Sequence, residues 1–312
     1  MIRDLLTVSR VNIQAASLPT ATLGILLASR SGTDVINGAA LFYVLFFFVV
    51  LSYSCQVNCL HDLEVDDRSK PSFGRAVRAI GIRRLKIITW IELAAASVFV
   101  LAIIWLKKDA IYLLLALGIG LGHAYSAPPL RIKKRGIFSP LPVMFGLYFL
   151  PIAAGGFLVL DKITGFVLLF ALGYALVMEG ITMVNTCEDF VEDQASGIRT
   201  LAHVLGIRRA LGVGAVLVAS GGLTVVAVLF PRILSLAHET VPLGAVFLFG
   251  AAFLTAVYRI SRSLFLLSRT PDPVQGSKRL ARNMPLWFLW TRYPLLVIAL
   301  ILAFVASYNR AS

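Results

Sequence analysis

The chain has 312 residues, of which 58% are hydrophobic and only 14% charged, against about 25% charged in a soluble globular domain. That balance excludes an ordinary water-soluble fold, because the apolar residues fall in blocks of about 20, long enough to cross a bilayer as helix. The net charge is +13; clustering of the basic residues on one membrane face explains it, so no nucleic-acid partner is implied.

The opening stretch MIRDLLTVSR has no apolar h-region or small-residue cleavage site, so the first hydrophobic block is expected to span the membrane itself. Blocks bounded by charge, Pro and Gly predict nine spans. They cover about 11–29, 36–60, 87–106, 110–126, 138–160, 164–186, 210–230, 240–258 and 285–307. The expected fold is all-α, one transmembrane domain over 1–312, with the nine helices bundled in lipid. Spans one to four (about 11–126) and five to eight (about 138–258) read as two four-helix pseudo-repeats, with the ninth helix (about 285–307) outside them. The fourth span is short, and the fifth carries Pro140, Pro142 and Pro151, breaks that neighbouring helices can tolerate. Gly221 and Gly222 in the seventh read as helix-packing positions.

The N-terminal tail and the connections after spans two, four, six and eight hold most of the Lys and Arg. The positive-inside rule therefore puts that face, with the N-terminus, in the cytoplasm, where attraction to anionic lipid is also expected. Three cysteines, Cys55, Cys59 and Cys187, form no disulfide framework and read as packing residues.

The second and sixth spans end alike. One closes in Asn58-Cys-Leu-His-Asp62-Leu-Glu-Val-Asp66, the other in Asn185-Thr-Cys-Glu-Asp189-Phe-Val-Glu-Asp193. Both read N-x-x-x-D-x-x-x-D, at the same membrane face and four spans apart. The i, i+4, i+8 spacing puts all three side chains on one helical face, drifting slowly around it. Like charges so spaced repel, and near lipid the penalty grows, so a cation must offset it in both ladders. Hard oxygen donors with room for water and phosphate are what magnesium prefers. Thiolate or imidazole sites fit poorly, since His61, His123, His203 and His238 are scattered.

Magnesium on carboxylates usually meets substrate phosphate, which calls for basic side chains nearby. Lys70 follows Asp66 by four residues. The loop Ala124-Tyr-Ser-Ala-Pro-Pro-Leu-Arg-Ile-Lys-Lys-Arg135 aims Arg131 and Lys133 with its two prolines. Arg199 follows the second ladder and Arg10 opens the first span, both placed for the same site. Glu179 and Arg292 are intramembrane ionisable residues, each a functional candidate by default. Six residues turn Glu179 roughly 120° from Asn185, so it either lines a pocket floor or meets a polar partner on a neighbouring helix. Arg292 either serves a site or snorkels.

With these residues the sequence resembles the UbiA superfamily of intramembrane prenyltransferases. The resemblance rests on the two ladders, the Gly197-Ile-Arg-Thr-Leu201 continuation and the Tyr125-Ser-Ala-Pro-Pro-Leu-Arg-Ile-Lys133 loop. It implies a bundle around a central cavity whose cytosolic mouth is formed by the facing Asp motifs. Asn58, Asp62 and Asp66 match the first metal motif, Asp189 and Asp193 the second, together holding magnesium ions on an isoprenyl diphosphate. Lys70, Tyr125, Arg131 and Lys133 are then the positions expected to contact the diphosphate or steady its departure. Two departures stand out: Cys59 replaces the Asp that commonly follows the first Asn, and Pro129 stands where many members carry Lys. The implied reaction ionises the allylic diphosphate and passes the prenyl group to a lipophilic acceptor, an aromatic quinone precursor by family frequency. An ether-lipid or chlorin acceptor, or cyclisation of the prenyl chain without acceptor, are the alternatives. A transporter would show inverted repeats and midplane charges, whereas both ladders lie at one face.

Overall fold

The computed structural model describes residues 1–107, 110–235 and 243–311; His238 and the start of the expected eighth span, 240–242, lie outside them. The described residues are helical and carry no strand, only one bridge between Arg135 and Arg199. The spans become α1 (Val11–Ala28), α2 (Gly38–His61), α3 (Ile82–Lys107), α4 (Ile111–Ser126), α5 (Leu150–Leu160), α6 (Gly165–Glu188), α7 (Ile207–Ser235), α8 (Leu243–Ser268) and α9 (Met284–Ala311). Eight helical segments among the described residues are long and apolar enough to cross a membrane, and α4, with 16 residues, is the shorter ninth.

The fifth span enters through a widened π-helical stretch, Pro142–Phe149, before α5 proper. Proline has no amide hydrogen to give and displaces the carbonyl one turn back, so the prolines foreseen as breaks loosen this span in its first half. Asn37 and Thr164 cap α2 and α6 by accepting backbone N–H bonds from Ala40 and Val167.

Packing follows the small residues. Gly173 and Gly180 of α6 meet Gly221 and Gly214 of α7. A Cβ placed on Gly180 would fall 2.5 Å from the Gly214 carbonyl oxygen, and one on Gly221 equally close to that of Gly173. The two backbones therefore touch, the means by which helices associate in lipid without a hydrophobic drive. Gly222 turns to Val257 of α8, so both glycines of that pair sit at helix contacts. In the same way Gly24 brings α1 onto Ile152 of α5. The largest apolar cluster joins α1, α5, α6, α7, α8 and α9; a second joins α2, α3 and α4 to α1 and α5. The outward faces remain apolar, with Trp105 75%, Phe304 71% and Leu248 68% exposed, surfaces stable against hydrocarbon and costly against water. The chain is an integral, multi-pass membrane protein.

Candidate active site

Both ladders bend at their middle residue. Helix α2 ends at His61 and α6 at Glu188; Asp62 and Asp189 occupy the junctions, and short helices Leu63–Ser69 and Phe190–Ala195 follow. The single straight face expected from the spacing is thus broken, at the equivalent position in each ladder. The i to i−4 pairing still runs through the bends. Asp62 and Asp66 donate N–H to Asn58 and Asp62 at 3.0 and 2.7 Å, and Asp189 and Asp193 to Asn185 and Asp189 at 3.1 and 2.8 Å.

The ladders converge. Lys70, at the end of the first, reaches across to Asp189 of the second at 2.6 Å instead of prolonging its own row. Asn58, Asp62, Asp66, Lys70, Asn185, Asp189 and Asp193 all line one cavity of about 560 Å³, together with Arg10, Tyr125 and Lys133. Arg131 is not part of that lining but ties to its rim, donating to the His61 carbonyl at 2.7 Å and to Asp62 at 3.2 Å. Lys133 also binds Asp62, beneath the Tyr125 ring at 5.7 Å. Arg199 lies apart: its side chain is exposed and lines no part of the cavity. Its carbonyl accepts the Gly136 N–H at 2.6 Å, which fastens the proline loop to the segment after the second ladder.

Two of the arginines hold strained backbones. Arg10 (φ 50°) and Arg131 (φ 40°) are left-handed, a conformation costing about 1–3 kcal/mol in non-glycine residues and concentrated at functional sites. Arg10 stacks over Phe73 at 4.8 Å and approaches Asn58 Oδ1 at 3.4 Å, while Asn58 Nδ2 donates to Ser126 at 2.8 Å. Cys59 does not take over the brace that an Asp would give. Its thiol is fully buried, 3.8 Å from the Val8 carbonyl, in an apolar cluster with Ala76, Val77, Ile80 and Leu85.

A polar network behind Asn58 was not foreseen from the sequence. Gln56 Nε2 donates to Ser9, Ser52 and Glu92, and Ser52 also donates to Glu92 at 2.7 Å. Glu92 in α3 was the signal that could have revealed it, being with Glu179 a second intramembrane carboxyl. Deeper still, Glu179 is 2% exposed and lines the cavity, and its Oε2 has no partner. Arg292 does not snorkel. It is equally buried, donates to the Ala16 carbonyl at 2.5 Å and to Ser17 at 3.3 Å, and lies over Phe288 at 4.4 Å.

The electrostatics of the mouth are those of crowded carboxylates. Burial first, and the Asp62 charge second, push the Asp66 carboxyl up to about 6. Burial and Asp189 push Asp193 up to about 7. Burial pushes the Lys133 ammonium down, with the Asp62 carboxylate pulling back. Glu192, beside the second ladder, is held low by Lys278 at 2.7 Å. Asp66 Oδ2 is buried without any hydrogen-bond partner, an acceptor that asks for a cation. Among the described residues no three acidic, imidazole or thiol side chains converge on one point. The donors come as two pairs with flanking Asn, which suits magnesium completed by water and phosphate better than any closed protein cage.

Known proteins share this architecture. Residues 17–264 match the UbiA prenyltransferase family. The chain is 28% identical over 214 residues to a lycopene elongase/hydratase of Halobacterium salinarum, covering 68% of this chain and 74% of that protein. It is 27% identical over 231 residues to a probable chloroplastic homogentisate phytyltransferase 2 of Oryza sativa subsp. japonica, covering 68% of this chain and 58% of that one. Among solved structures, one described for digeranylgeranylglyceryl phosphate synthase superposes with a TM-score of 0.68 at 17% identity, over 96% of this chain and 98% of the other. A UbiA homolog from Archaeoglobus fulgidus bound to GPP and Mg2+ gives 0.61 at 16%, over 94% and 99%. With a family match over most of its length, the chain belongs to the UbiA prenyltransferase family and is a membrane-embedded prenyltransferase.

Proposed function

We propose that this protein transfers a prenyl group from an allylic isoprenyl diphosphate to a lipophilic acceptor, with Mg2+ as cofactor at the two ladders. The observation that carries the reading is the Lys70–Asp189 bridge, by which the end of one ladder touches the middle of the other. Asn58, Asp62 and Asp66 on one side, and Asn185, Asp189 and Asp193 on the other, are the oxygen donors for the metal. When bound, magnesium supplies positive charge against the diphosphate, lowering the barrier to its departure.

The side chains do the rest. Lys70, Arg131 and Lys133 now sit on carboxylates and are within reach of the space the diphosphate would fill, where they stabilise charge developing on the leaving oxygen. Arg10, stacked on Phe73, holds Asn58 and faces the same space. Tyr125 walls the cavity beside Lys133. The apolar lining below, including Phe46, Phe47 and Leu147, keeps water from the allylic cation. Arg199, exposed and turned away, acts through its backbone as a loop fastener. The mouth opens on the cytoplasmic side, by the distribution of basic residues.

For the acceptor we infer an aromatic quinone precursor, and the likeness to a lycopene elongase/hydratase favours a carotenoid as the second reading. The test uses the whole chain in liposomes with geranylgeranyl diphosphate, Mg2+ and, in separate reactions, homogentisate or lycopene. Prenylated product and released diphosphate are both measured. Asp62→Ala and Asp189→Ala are expected to abolish both. Wild-type turnover in either variant would remove the metal clamp, and a cyclised hydrocarbon formed without acceptor would replace transfer by cyclisation.

A further inference from the structure

We infer that Glu179 is the base that takes the proton released when the acceptor captures the prenyl cation, an inference resting on the transfer reaction above. Glu179 lies on α6, in the wall of the cavity, 2% exposed and with Oε2 lacking any hydrogen-bond partner. A buried polar atom left unpaired destabilises a fold, and an ionisable group within a span does so more strongly still. The fold gains nothing visible in return. Neighbouring polar groups are otherwise engaged: Tyr148 and Thr182 pair with each other at 3.0 Å, and Arg292 is committed to Ala16 and Ser17.

The depth fits the chemistry. Six residues of helix place Glu179 about 9 Å along the axis from Asn185, below the ladders and beside the chamber where the reacting carbon and acceptor would meet. The other carboxylates of the cavity sit at its mouth, where Lys70, Lys133 and Lys278 hold Asp189, Asp62 and Glu192.

In the reaction the allylic C–O bond breaks and its electron pair leaves with the diphosphate. A π-electron pair of the acceptor forms the new bond to the allylic carbon. The C–H or O–H bond at the acceptor then breaks, its pair restores the acceptor's unsaturation, and the proton passes to the Glu179 carboxylate. Electrons and atoms balance without a further reactant. Ionisation needs the ladders and the basic side chains beside them, whereas completion needs Glu179.

The distinguishing measurement is the ratio of prenylated product to released diphosphate, in liposomes holding the full chain with geranylgeranyl diphosphate, Mg2+ and either homogentisate or lycopene. Glu179→Gln keeps the shape and is expected to lower that ratio at least tenfold, with prenyl alcohol appearing as water intercepts the cation. Glu179→Asp, one methylene shorter, is expected to retain more of the ratio than the Gln variant. An unchanged ratio in Glu179→Gln, or an Asp variant no better than Gln, overturns the assignment while leaving prenyl transfer standing. Absence of product from the wild type with both acceptors defeats the transfer reading and this inference with it.

Discussion

The Asp62–Lys133 pair offers a test of the mouth that separates folding from chemistry. Asp62 and Lys133 are 8% and 6% exposed and in contact, with Arg131 adding a second, partly exposed cation at 3.2 Å. Asp62→Asn leaves the Lys133 ammonium buried without its anion, and breaking such a pair costs about 3–5 kcal/mol. Asp66 stands near and also draws on Lys133, so the lower end, about 3 kcal/mol, is expected. At roughly 2–4 °C per kcal/mol for a chain of a few hundred residues, thermal unfolding of the detergent-purified protein in a chelator falls by roughly 6–12 °C. Removing both charges, Asp62→Asn with Lys133→Met, leaves no buried ammonium without an anion, with the part-exposed Arg131 still on the His61 carbonyl, and should recover stability to within about 1 kcal/mol of wild type. It should not recover diphosphate release, because the anionic oxygen that would hold the metal is still missing. A single variant that melts with the wild type, or a double variant as fragile as the single, refutes the electrostatic account of the pair.

Two further predictions rest on other parts of the molecule. Asp66 and Asp193 are raised to about 6 and about 7, so without metal the folded chain holds protons there that the unfolded chain, near 3.8, has released. Metal-free stability should therefore fall as pH rises from about 4 to 7, apparent Mg2+ affinity should rise until both carboxyls have ionised, and melting curves with and without Mg2+ at several pH values measure both. At the α6–α7 contact, Gly180→Ala forces a methyl to 2.5 Å from the Gly214 carbonyl; a loss of about 1–3 kcal/mol is expected, read as a lower melting temperature. Gly250→Ala, with open space at its Cβ, should be neutral or slightly stabilising, and equal melting of the two variants counts against backbone contact.

Hydrophobic block length made the all-helical membrane fold legible, because the bilayer leaves few alternatives to a helix of about 20 residues. The repeated N-x-x-x-D-x-x-x-D pattern pointed to the mouth for an equally physical reason: two uncompensated charge rows at one membrane face need a shared purpose. What periodicity could not supply was the bend at Asp62 and Asp189, since a kinked junction keeps the same i to i−4 pairing as a straight helix. Nor could it say that Lys70 would cross to Asp189, because spacing describes neighbours on one helix and not on two. Arg199 illustrates the converse: a basic residue at the right address whose side chain turns outward. The Gln56–Glu92 network stayed hidden because its members, Ser9, Gln56 and Thr89, are unremarkable singly and meet only after α2, α3 and the turn before α1 pack together.

The paired bends have one more consequence. Because α2 and α6 both stop at the cavity mouth, the carbonyl ends of two long helices point toward it. A helix end with free carbonyls carries the equivalent of about half a negative charge; here the Asn58 and Asn185 carbonyls are taken by the Asp62 and Asp189 N–H groups, so part of that charge is added to the field of the aspartates that cap them. The mouth thus attracts cations through its backbone as well as its side chains, and a share of that pull survives any single replacement in the ladders.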